Sequence, residues 1–136
     1  MPKTTANRFE RTRRDHTLET AEDYVELIQT LIDESGEARA VDVATRLGIS
    51  PVTVTQTVQR LVREGYVDTA PYKSLKLTEK GAALAAKAKE RHEVVLGFLL
   101  ALGISSEAAE HDAEGMEHHA SEETLEAMRR FQREKG

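Results

Sequence analysis

The sequence predicts a mainly α fold, with an N-terminal winged helix-turn-helix followed by an all-helical domain. Two observations lead to this prediction. Residues 40–77 read in order as helix, glycine turn, helix and hairpin, which is the order of a winged helix-turn-helix. Strand-like runs are confined to residues 67–77, whereas helical spacing of apolar residues recurs before and after them. At 136 residues the chain has room for one domain or for two small lobes that share a core.

The first helix is predicted from Thr20 to near Gly36, since apolar residues recur there at helical spacing and glycine often follows a helix end. Residues 1–19 lack this periodicity, so a basic and mobile arm is predicted that turns helical only near its end. The apolar positions of the helix are Tyr24, Leu27, Ile28 and Leu31, and the arginines of the arm are Arg8, Arg11, Arg13 and Arg14.

A helix-turn-helix is predicted next. Its first helix spans Ala40 to Leu47, and Gly48 ends that helix in a tight turn. Ser50 is the predicted N-cap of the second helix, and Pro51 fits its first position because proline needs no hydrogen-bond acceptor there. The residues expected to face the core are Val41, Ala44 and Leu47 in the first helix and Val54, Val58 and Leu61 in the second.

Two strands, residues 67–69 and 75–77, are predicted to form the wing, and strand is expected nowhere else. A long helix capped by Thr78 then runs to about Leu100. Its buried face is predicted to hold Leu84, Ala88, Val95 and Leu99. Ser105 or Ser106 caps the next helix, and Ser121 caps a final helix through Phe131. The predicted domains are a basic arm at 1–19, a winged helix-turn-helix at 20–80 and a helical domain at 81–136.

Composition and charge restrict the class of protein. No apolar run approaches the ~20 residues of a membrane span and no signal peptide begins the chain, so we expect a cytoplasmic protein without a membrane partner. The absence of cysteine excludes disulfides and thiolate ligands. Residues 39–80 carry seven basic and four acidic side chains, whereas residues 15–38 carry eight acidic ones and no lysine or arginine. This segregation suggests that one part faces an anion and another faces cations.

The polar face of the second helix of the helix-turn-helix is a candidate DNA-binding surface. Apolar and amide side chains near a helix start contact thymine methyl groups and adenine edges, whereas basic side chains contact phosphates. The alternative is a structural winged helix of the kind found in protein-interaction domains. The predicted DNA-binding residues are Ser50, Val52, Thr53, Gln56 and Gln59, with Arg39, Arg60, Arg63, Lys73 and Lys76 placed for phosphates.

A candidate metal site begins at Glu114. If the segment is helical, Glu114, Glu117 and His118 stand at i, i+3 and i+4 and project from one face. Three ligand-type side chains without a lysine among them fit a divalent cation. The alternative is a solvated acidic helix face.

Other candidate ligands lie on two further predicted helices. Asp23 and Glu26 share a helix face, although such a pair is usually solvated, and His92 stands on an apolar face where histidine is usually a core residue. Taken together these groups favour a cation, because several buried carboxylates are costly without one. Four carboxylates and two imidazoles suit Mn²⁺ or Fe²⁺ and exceed what one tetrahedral zinc ion needs. Bridging carboxylates would allow two ions about 4 Å apart. His111 and His119 are further histidines near this segment.

Four separated motifs in this sequence resemble the manganese-responsive branch of the diphtheria toxin repressor family, over roughly residues 20–130. They are Glu22-Asp23-Tyr24-Val25-Glu26, Ser50-Pro51-Val52-Thr53-Val54-Thr55-Gln56-Thr57-Val58, Arg91-His92-Glu93 and Asp112-Ala113-Glu114-Gly115-Met116-Glu117-His118-His119. The resemblance implies a homodimer with winged-helix heads and a helical metal-binding dimerisation domain. It implies metal ligation by Asp23, Glu26, His92, Glu114, Glu117 and His118, and gives no ligand role to His111 or His119.

The resemblance also implies the function. We expect a Mn(II)-dependent transcriptional regulator, mainly a repressor of manganese homeostasis genes, with Mn(II) at two ions per subunit as cofactor and double-stranded operator DNA as partner. No enzymatic activity and no small organic substrate are expected. In the iron-responsive branch, methionine and cysteine take the places of Asp23 and Glu114, and an SH3-like domain follows, which this chain is expected to lack. The alternatives are a Fe(II)-responsive regulator, a regulator of another signal, and a di-metal carboxylate enzyme, which would need Glu-x-x-His motifs not found here.

Overall fold

The computed structural model describes residues 5–69 and 74–135, with the backbone alone for residues 5–15. Within that part the chain forms six helices and three short strands, and it divides into two compact units, the first ending at Ala86 and the second beginning at Lys87. None of the described helices is both long enough and apolar enough to span a bilayer. The elements in order are α1 (Thr5–Ser35), β1 (Ala38–Arg39), α2 (Ala40–Leu47), α3 (Pro51–Arg63), β2 (Val67–Thr69), β3 (Ser74–Leu77), α4 (Glu79–Ala101), α5 (Ser106–Met116) and α6 (Glu122–Lys135).

Helix α1 ends where the sequence predicts but begins much earlier. Gly36 follows its last residue with a φ of 85°, and the Gly36 amide donates to the Ile32 carbonyl at 2.8 Å. The predicted start at Thr20 is wrong, because the helix begins at Thr5. Apolar periodicity reports which face is buried rather than whether the backbone is helical. The stretch before Thr20 contains no proline or glycine after Pro2, so extending an existing helix through it costs little.

The predicted turn between α2 and α3 is confirmed in detail. Gly48 adopts a left-handed conformation with φ 68°, and its amide donates to the Ala44 carbonyl at 2.9 Å. The Ser50 side chain caps α3 by accepting from the Thr53 amide at 3.2 Å, and Pro51 is the first helical residue. The buried stripe of α3 is Val54, Val58 and Leu61, as predicted.

The predicted inner face of α2 is partly wrong. Ala44 is buried, but Val41 is 57% exposed and Leu47 is 37% exposed, while Val43 is buried in their place. An eight-residue helix has only about two turns, so its apolar residues fit two overlapping stripes equally well. Which of the two stripes is buried depends on packing against the rest of the unit. The sequence pattern of α2 carries no information about that packing.

The three strands form one antiparallel sheet in the order β1-β3-β2. Strands β2 and β3 are the predicted wing, with Val67 opposite Leu77. The expectation that strand occurs only in the wing is wrong by one element, because Ala38 of β1 pairs with Leu75. A two-residue strand is too short to show alternation. The turn of the wing, including Lys73, lies outside the described residues.

The core of the first unit lies between α1, the helix-turn-helix and the sheet, and it joins Tyr24 and Ile28 to Leu61, Val67 and Leu75. The start of α4 belongs to this unit. As predicted, Thr78 caps it, since the Gly81 amide donates to the Thr78 hydroxyl at 3.0 Å. Leu84 of the predicted stripe packs against this core only in part.

The second unit packs the rest of α4 against α5 and α6. Its core holds Val95, Leu99 and Leu125, the first two on the predicted stripe of α4. Helices α4 and α6 approach closely at Gly97, and the amide of Gln132 donates to the Val94 carbonyl at 3.0 Å. The caps at Ser105 and Ser121 are confirmed, and α6 extends beyond Phe131 to Lys135.

Candidate metal centre and nucleic-acid interface

His92 on α4 lies between two carboxylates of the same unit. Its Nδ1 is 2.5 Å from Glu117 Oε2, and its Nε2 is 3.3 Å from Glu110 Oε2. The His92 side chain is 19% exposed, so it borders the apolar core without being enclosed by it. Both ring nitrogens face carboxylate oxygens, which is the environment of a ligand rather than of a histidine satisfied in an apolar core.

Glu117 is the most deeply buried acid of this group, with 2% of its side chain exposed. The predicted helix through residues 114–119 is corrected here, because α5 ends at Met116 and residues 117–119 form a turn. The Glu117 amide still donates to the Ala113 carbonyl at 3.0 Å, which keeps Glu117 in nearly helical register. The neighbouring His118 is equally buried, and its Nε2 lies 3.7 Å from Glu117 Oε1.

The turn after Met116 is held from α4. Arg91, next to His92, donates from Nη2 to the Ala120 carbonyl at 2.5 Å. Since Ser121 starts the following helix, the chain has to leave the α5 axis within these few residues. The contact explains why helical periodicity alone placed the helix end too late.

His92, Glu114 and Glu117 each offer one ligand atom, and these atoms lie within 4.8 Å of one another. Two carboxylate oxygens and one imidazole nitrogen fit a hard divalent cation such as Mn²⁺. Burial of the ring lowers the pKa of His92, but the hydrogen bond with Glu117 and the negative charges of Glu117, Glu114 and Glu110 outweigh it and hold that pKa above its ordinary value. A local field that stabilises a protonated ring also attracts a metal cation.

The remaining predicted ligands, Asp23 and Glu26, lie on α1 in the first unit. They are three residues apart and half-buried, so they share one face of the helix as predicted. His111 and His119, to which no ligand role was given, are exposed.

Glu110 is a residue of this cluster that the sequence reasoning missed. A signal for it was present, because Glu110, Glu114 and Glu117 stand at i, i+4 and i+7 of one helix and therefore continue a single stripe. The predicted stripe starts at Glu114 and therefore omits Glu110, one turn earlier.

The predicted base-reading face of α3 is open to solvent. Val52 is 67% exposed, and Thr53, Gln56, Gln59 and Arg63 are also exposed. This face lies opposite the buried stripe, so α3 presents apolar, hydroxyl and amide groups without burying them. Ser50 serves first as the cap of the helix, and its hydroxyl also lies 2.9 Å from the Thr53 hydroxyl.

Two of the predicted phosphate-binding residues are engaged within the protein. Arg39 Nε lies 3.3 Å from Glu37 Oε1, and Arg60 Nε lies 3.4 Å from Glu64 Oε1. Exposed or half-exposed pairs of this kind contribute little to stability. In Arg60, the Nε and Nη2 atoms are themselves buried. Lys76 is exposed on β3, and Lys73 is outside the described residues.

Known proteins resemble the chain over nearly its whole length. A family model for the iron dependent repressor N-terminal DNA binding domain matches residues 16–75, and one for the iron dependent repressor metal binding and dimerisation domain matches residues 78–134. The transcriptional regulator MntR of Escherichia coli O6:H1 is 50% identical over 128 residues, which are 94% of this chain and 83% of the relative. The HTH-type transcriptional regulator MntR of Bacillus subtilis strain 168 is 40% identical over 105 residues, covering 77% of this chain and 74% of the relative.

Solved structures agree with these sequence matches. The manganese regulator SloR superposes with a TM-score of 0.72 at 26% identity over 82% of this chain. The present chain spans 52%, about half, of the length of that solved chain. Two consecutive domain matches that together cover most of the sequence, and relatives at 40% and 50% identity, lead to one conclusion. The chain belongs to the iron-dependent repressor family of DNA-binding transcriptional regulators.

Proposed function

We propose that this protein is a Mn(II)-dependent regulator, mainly a repressor, of manganese homeostasis genes that acts as a homodimer on operator DNA in the cytoplasm. The observation that carries the proposal is the buried Glu117 carboxylate grouped with His92 and Glu114. A buried carboxylate needs a compensating cation. The same chain carries a helix-turn-helix, so DNA binding is the activity that a metal-dependent change would control. We assign the protein no enzymatic reaction.

The choice of manganese rests on the donor set. The six proposed ligands are Asp23, Glu26, His92, Glu114, Glu117 and His118, which together offer oxygen and imidazole nitrogen but no sulfur. Hard carboxylates favour Mn²⁺ over softer ions. Six side chains exceed the demand of one four-coordinate ion, and a carboxylate can serve two ions, so we propose that this set would hold two ions per subunit. A relative of known structure, SloR, is itself described as a manganese regulator.

The proposed mechanism is a metal-gated change in order. Without metal, the carboxylates repel one another and Glu117 is held against the His92 ring. A bound Mn²⁺ would supply the compensating positive charge, and we propose that Asp23 and Glu26 of α1 belong to the same ligand set as His92, Glu114, Glu117 and His118. The metal would then fix the DNA-binding head relative to the dimerisation lobe, and the two recognition helices of a dimer would be held for successive major grooves. Linkage requires that DNA tighten metal binding by the same factor.

The proposed contacts divide by chemistry. Val52, Thr53 and Gln56 at the exposed start of α3 would read base edges, whereas Arg39, Arg60, Arg63, Lys73 and Lys76 would contact phosphates and position the head. The proposed division of the chain remains a head at residues 20–80 and a metal-binding dimerisation domain at 81–136, with the basic segment at 1–19 preceding them.

Fluorescence anisotropy of a labelled duplex, selected from a random pool with the Mn²⁺-loaded protein, tests this function. Binding is expected with Mn²⁺ and is expected to disappear when a chelator removes the ion at constant ionic strength. Binding that is equally tight with and without Mn²⁺ would exclude the metal-gated function. Absence of binding under both conditions would exclude a DNA-binding regulator of this kind.

The second candidate is a Fe(II)-responsive regulator, favoured by the description of the family as iron-dependent. The same titration performed anaerobically with Fe²⁺ separates the two. For each ion, the free concentration that gives half-maximal DNA binding is divided by the intracellular free concentration of that ion. We expect this ratio to be lower for Mn²⁺ than for Fe²⁺. The reverse order would favour the iron sensor.

A further inference from the structure

His92 is contacted from both sides of its ring, and only one side belongs to the proposed metal site. On the Nδ1 side lies Glu117, which is 2% exposed, and Glu114 belongs to the same group of potential ligand atoms. On the Nε2 side lies Glu110, at 3.3 Å and with 59% of its side chain exposed. Glu110 is not part of that group of ligands. The ring therefore lies between the buried carboxylate of Glu117 and the exposed carboxylate of Glu110.

An imidazole bound to a metal uses one nitrogen as ligand and keeps a proton on the other. The hydrogen bond made by the protonated nitrogen fixes both the tautomer and the orientation of the ring. Glu110 Oε2 lies 3.3 Å from Nε2 in this structure, so this carboxylate can accept from Nε2–H. A carboxylate acceptor also raises the basicity of the ligating nitrogen.

The fold places Glu110 for this contact. Glu110 is one turn before Glu114 on α5, so both side chains project from the same side of the helix. The start of α5 is anchored by the Ser105 side chain, which accepts from the Ala108 amide at 3.3 Å. His92 stands on α4, so the contact joins the two helices that carry the unit's proposed ligands.

We propose that Glu110 is a positioning residue for the metal site: it accepts a hydrogen bond from Nε2–H of His92 and thereby presents Nδ1 to the metal. The inference rests on the proposed function, because it requires His92 to be a ligand. Glu110 itself contacts no metal in this arrangement. Its effect is confined to the tautomer, the orientation and the basicity of the ring.

Metal titrations of three variants test whether Glu110 contributes to the affinity for Mn²⁺. Glu110→Ala removes the acceptor, and Glu110→Gln keeps an acceptor oxygen but removes the charge. Glu107→Ala is the control and removes an acidic group from the first turn of the same helix. Loss of an outer-shell partner weakens metal binding by roughly 10-fold or more, so Glu110→Ala is expected to weaken Mn²⁺ binding by that factor. Glu110→Gln is expected to fall between Glu110→Ala and the wild type, and Glu107→Ala to match the wild type. Equal thermal unfolding of the metal-free variants verifies that the fold is unchanged.

A spectroscopic measurement tests the orientation directly. The full chain with ¹⁵N-labelled histidine is loaded with Cd²⁺, a diamagnetic substitute for Mn²⁺, and the two ring nitrogens of His92 are distinguished by long-range ¹H–¹⁵N correlation. In the wild type, Nδ1 is expected to bear the metal and Nε2 the proton. In Glu110→Ala, a mixture in which Nε2 also bears the metal is expected.

The outcomes separate this inference from the proposed function. If the wild type binds metal through Nδ1 and Glu110→Ala binds as Glu107→Ala does, the role of Glu110 is refuted while the metal site stands. Metal on Nε2 of the wild type likewise refutes it, because Glu110 would then lie on the ligand side. If the wild type binds neither Mn²⁺ nor Cd²⁺, the proposed function itself fails.

Discussion

The exposed face of α3 and the acidic cluster around His92 differ in how far their proposed ligand-binding side chains are exposed to solvent. The residues of α3 that would contact DNA are uncharged at the start of the helix and exposed, with Val52 at 67%. In the candidate metal cluster, by contrast, one acid is buried, with 2% of the Glu117 side chain exposed. An exposed surface can remain without its ligand at little cost to the stability of the fold. A buried carboxylate group destabilises the metal-free fold, so its ligand should stabilise the protein as it binds. We therefore expect metal binding, and not DNA binding at the α3 face, to stabilise the fold.

The largest effect is expected where burial is deepest. Glu117→Gln keeps the shape of the side chain and removes its charge. Because outer-shell changes alone weaken metal binding by 10–100-fold, loss of this proposed ligand should weaken Mn²⁺ binding by at least about 100-fold. Mn²⁺ should then no longer raise the unfolding temperature. Isothermal titration calorimetry and thermal unfolding measure both.

Glu123→Gln, a carboxylate exposed on α6, is the control for Glu117→Gln and should behave as the wild type. If Glu117→Gln keeps its Mn²⁺ affinity, the buried cluster is not the site.

On the exposed face, Gln56→Ala should affect DNA and spare the metal. A bidentate amide contact to adenine contributes about 1–3 kcal/mol of discrimination, so cognate binding should weaken by that free energy while binding to unrelated duplex changes little. Anisotropy on both duplexes, with Mn²⁺ affinity measured beside it, checks the prediction. A loss of Mn²⁺ affinity, or an equal loss on both duplexes, would remove Gln56 from base reading.

Alanine substitutions at two glycines of α4 compare how well the two units tolerate an added methyl group. A Cβ at Gly81 would lie 2.0 Å from the Tyr66 backbone oxygen, whereas one at Gly97 would lie 2.2 Å from the end of the Gln132 side chain. Backbone cannot yield cheaply but a flexible side chain can, so Gly81→Ala should lower the free energy of unfolding by about 1–3 kcal/mol. Gly97→Ala should lower the free energy of unfolding by a smaller amount. Chemical denaturation of the metal-free proteins measures both losses.

Adding Gln132→Ala tests the assignment of the clash at Gly97. The second substitution should recover part of the loss caused by Gly97→Ala, although it also removes the bond to the Val94 carbonyl. A larger loss for Gly97→Ala than for Gly81→Ala would reverse the comparison.

The smallest effect is expected at a phosphate contact. Arg63→Ala should weaken binding to cognate and unrelated duplex alike, and the slope of log K against log salt should fall by about one per lost contact. Lys89→Ala removes an exposed cation from the second unit and should leave both slopes unchanged. Specific loss on the cognate duplex alone would assign Arg63 to base reading instead.

The sequence predicts best where local chemistry determines the backbone. Gly48, Ser50 and Pro51 specify the turn and the start of α3 by their own conformational preferences, and the structure agrees. The buried stripe of the two-turn helix α2 was assigned partly to Val41, because too few turns were available to separate the possible faces. The start of α1 was placed too late because that part of the helix carries no apolar stripe.

The candidate site shows the same limit. Glu114 and Glu117 could be selected by residue type and helical spacing, whereas His92 was selected only together with the other candidates and through the family resemblance. The structure brings the three together. Glu110 was not selected, because its contact with Nε2 depends on how α4 and α5 pack against each other. The end of α5 at Met116 likewise depends on the contact of Arg91 with the Ala120 carbonyl, which pairs residues distant in the sequence.

The coupling between metal and DNA is tested most directly by measuring the dissociation constant of Mn²⁺ with and without saturating operator duplex. Linkage requires that the duplex tighten Mn²⁺ binding by the same factor by which Mn²⁺ tightens duplex binding. Equal factors well above one are the result expected for a metal-gated regulator. An Mn²⁺ dissociation constant that is the same with and without the duplex would contradict the account.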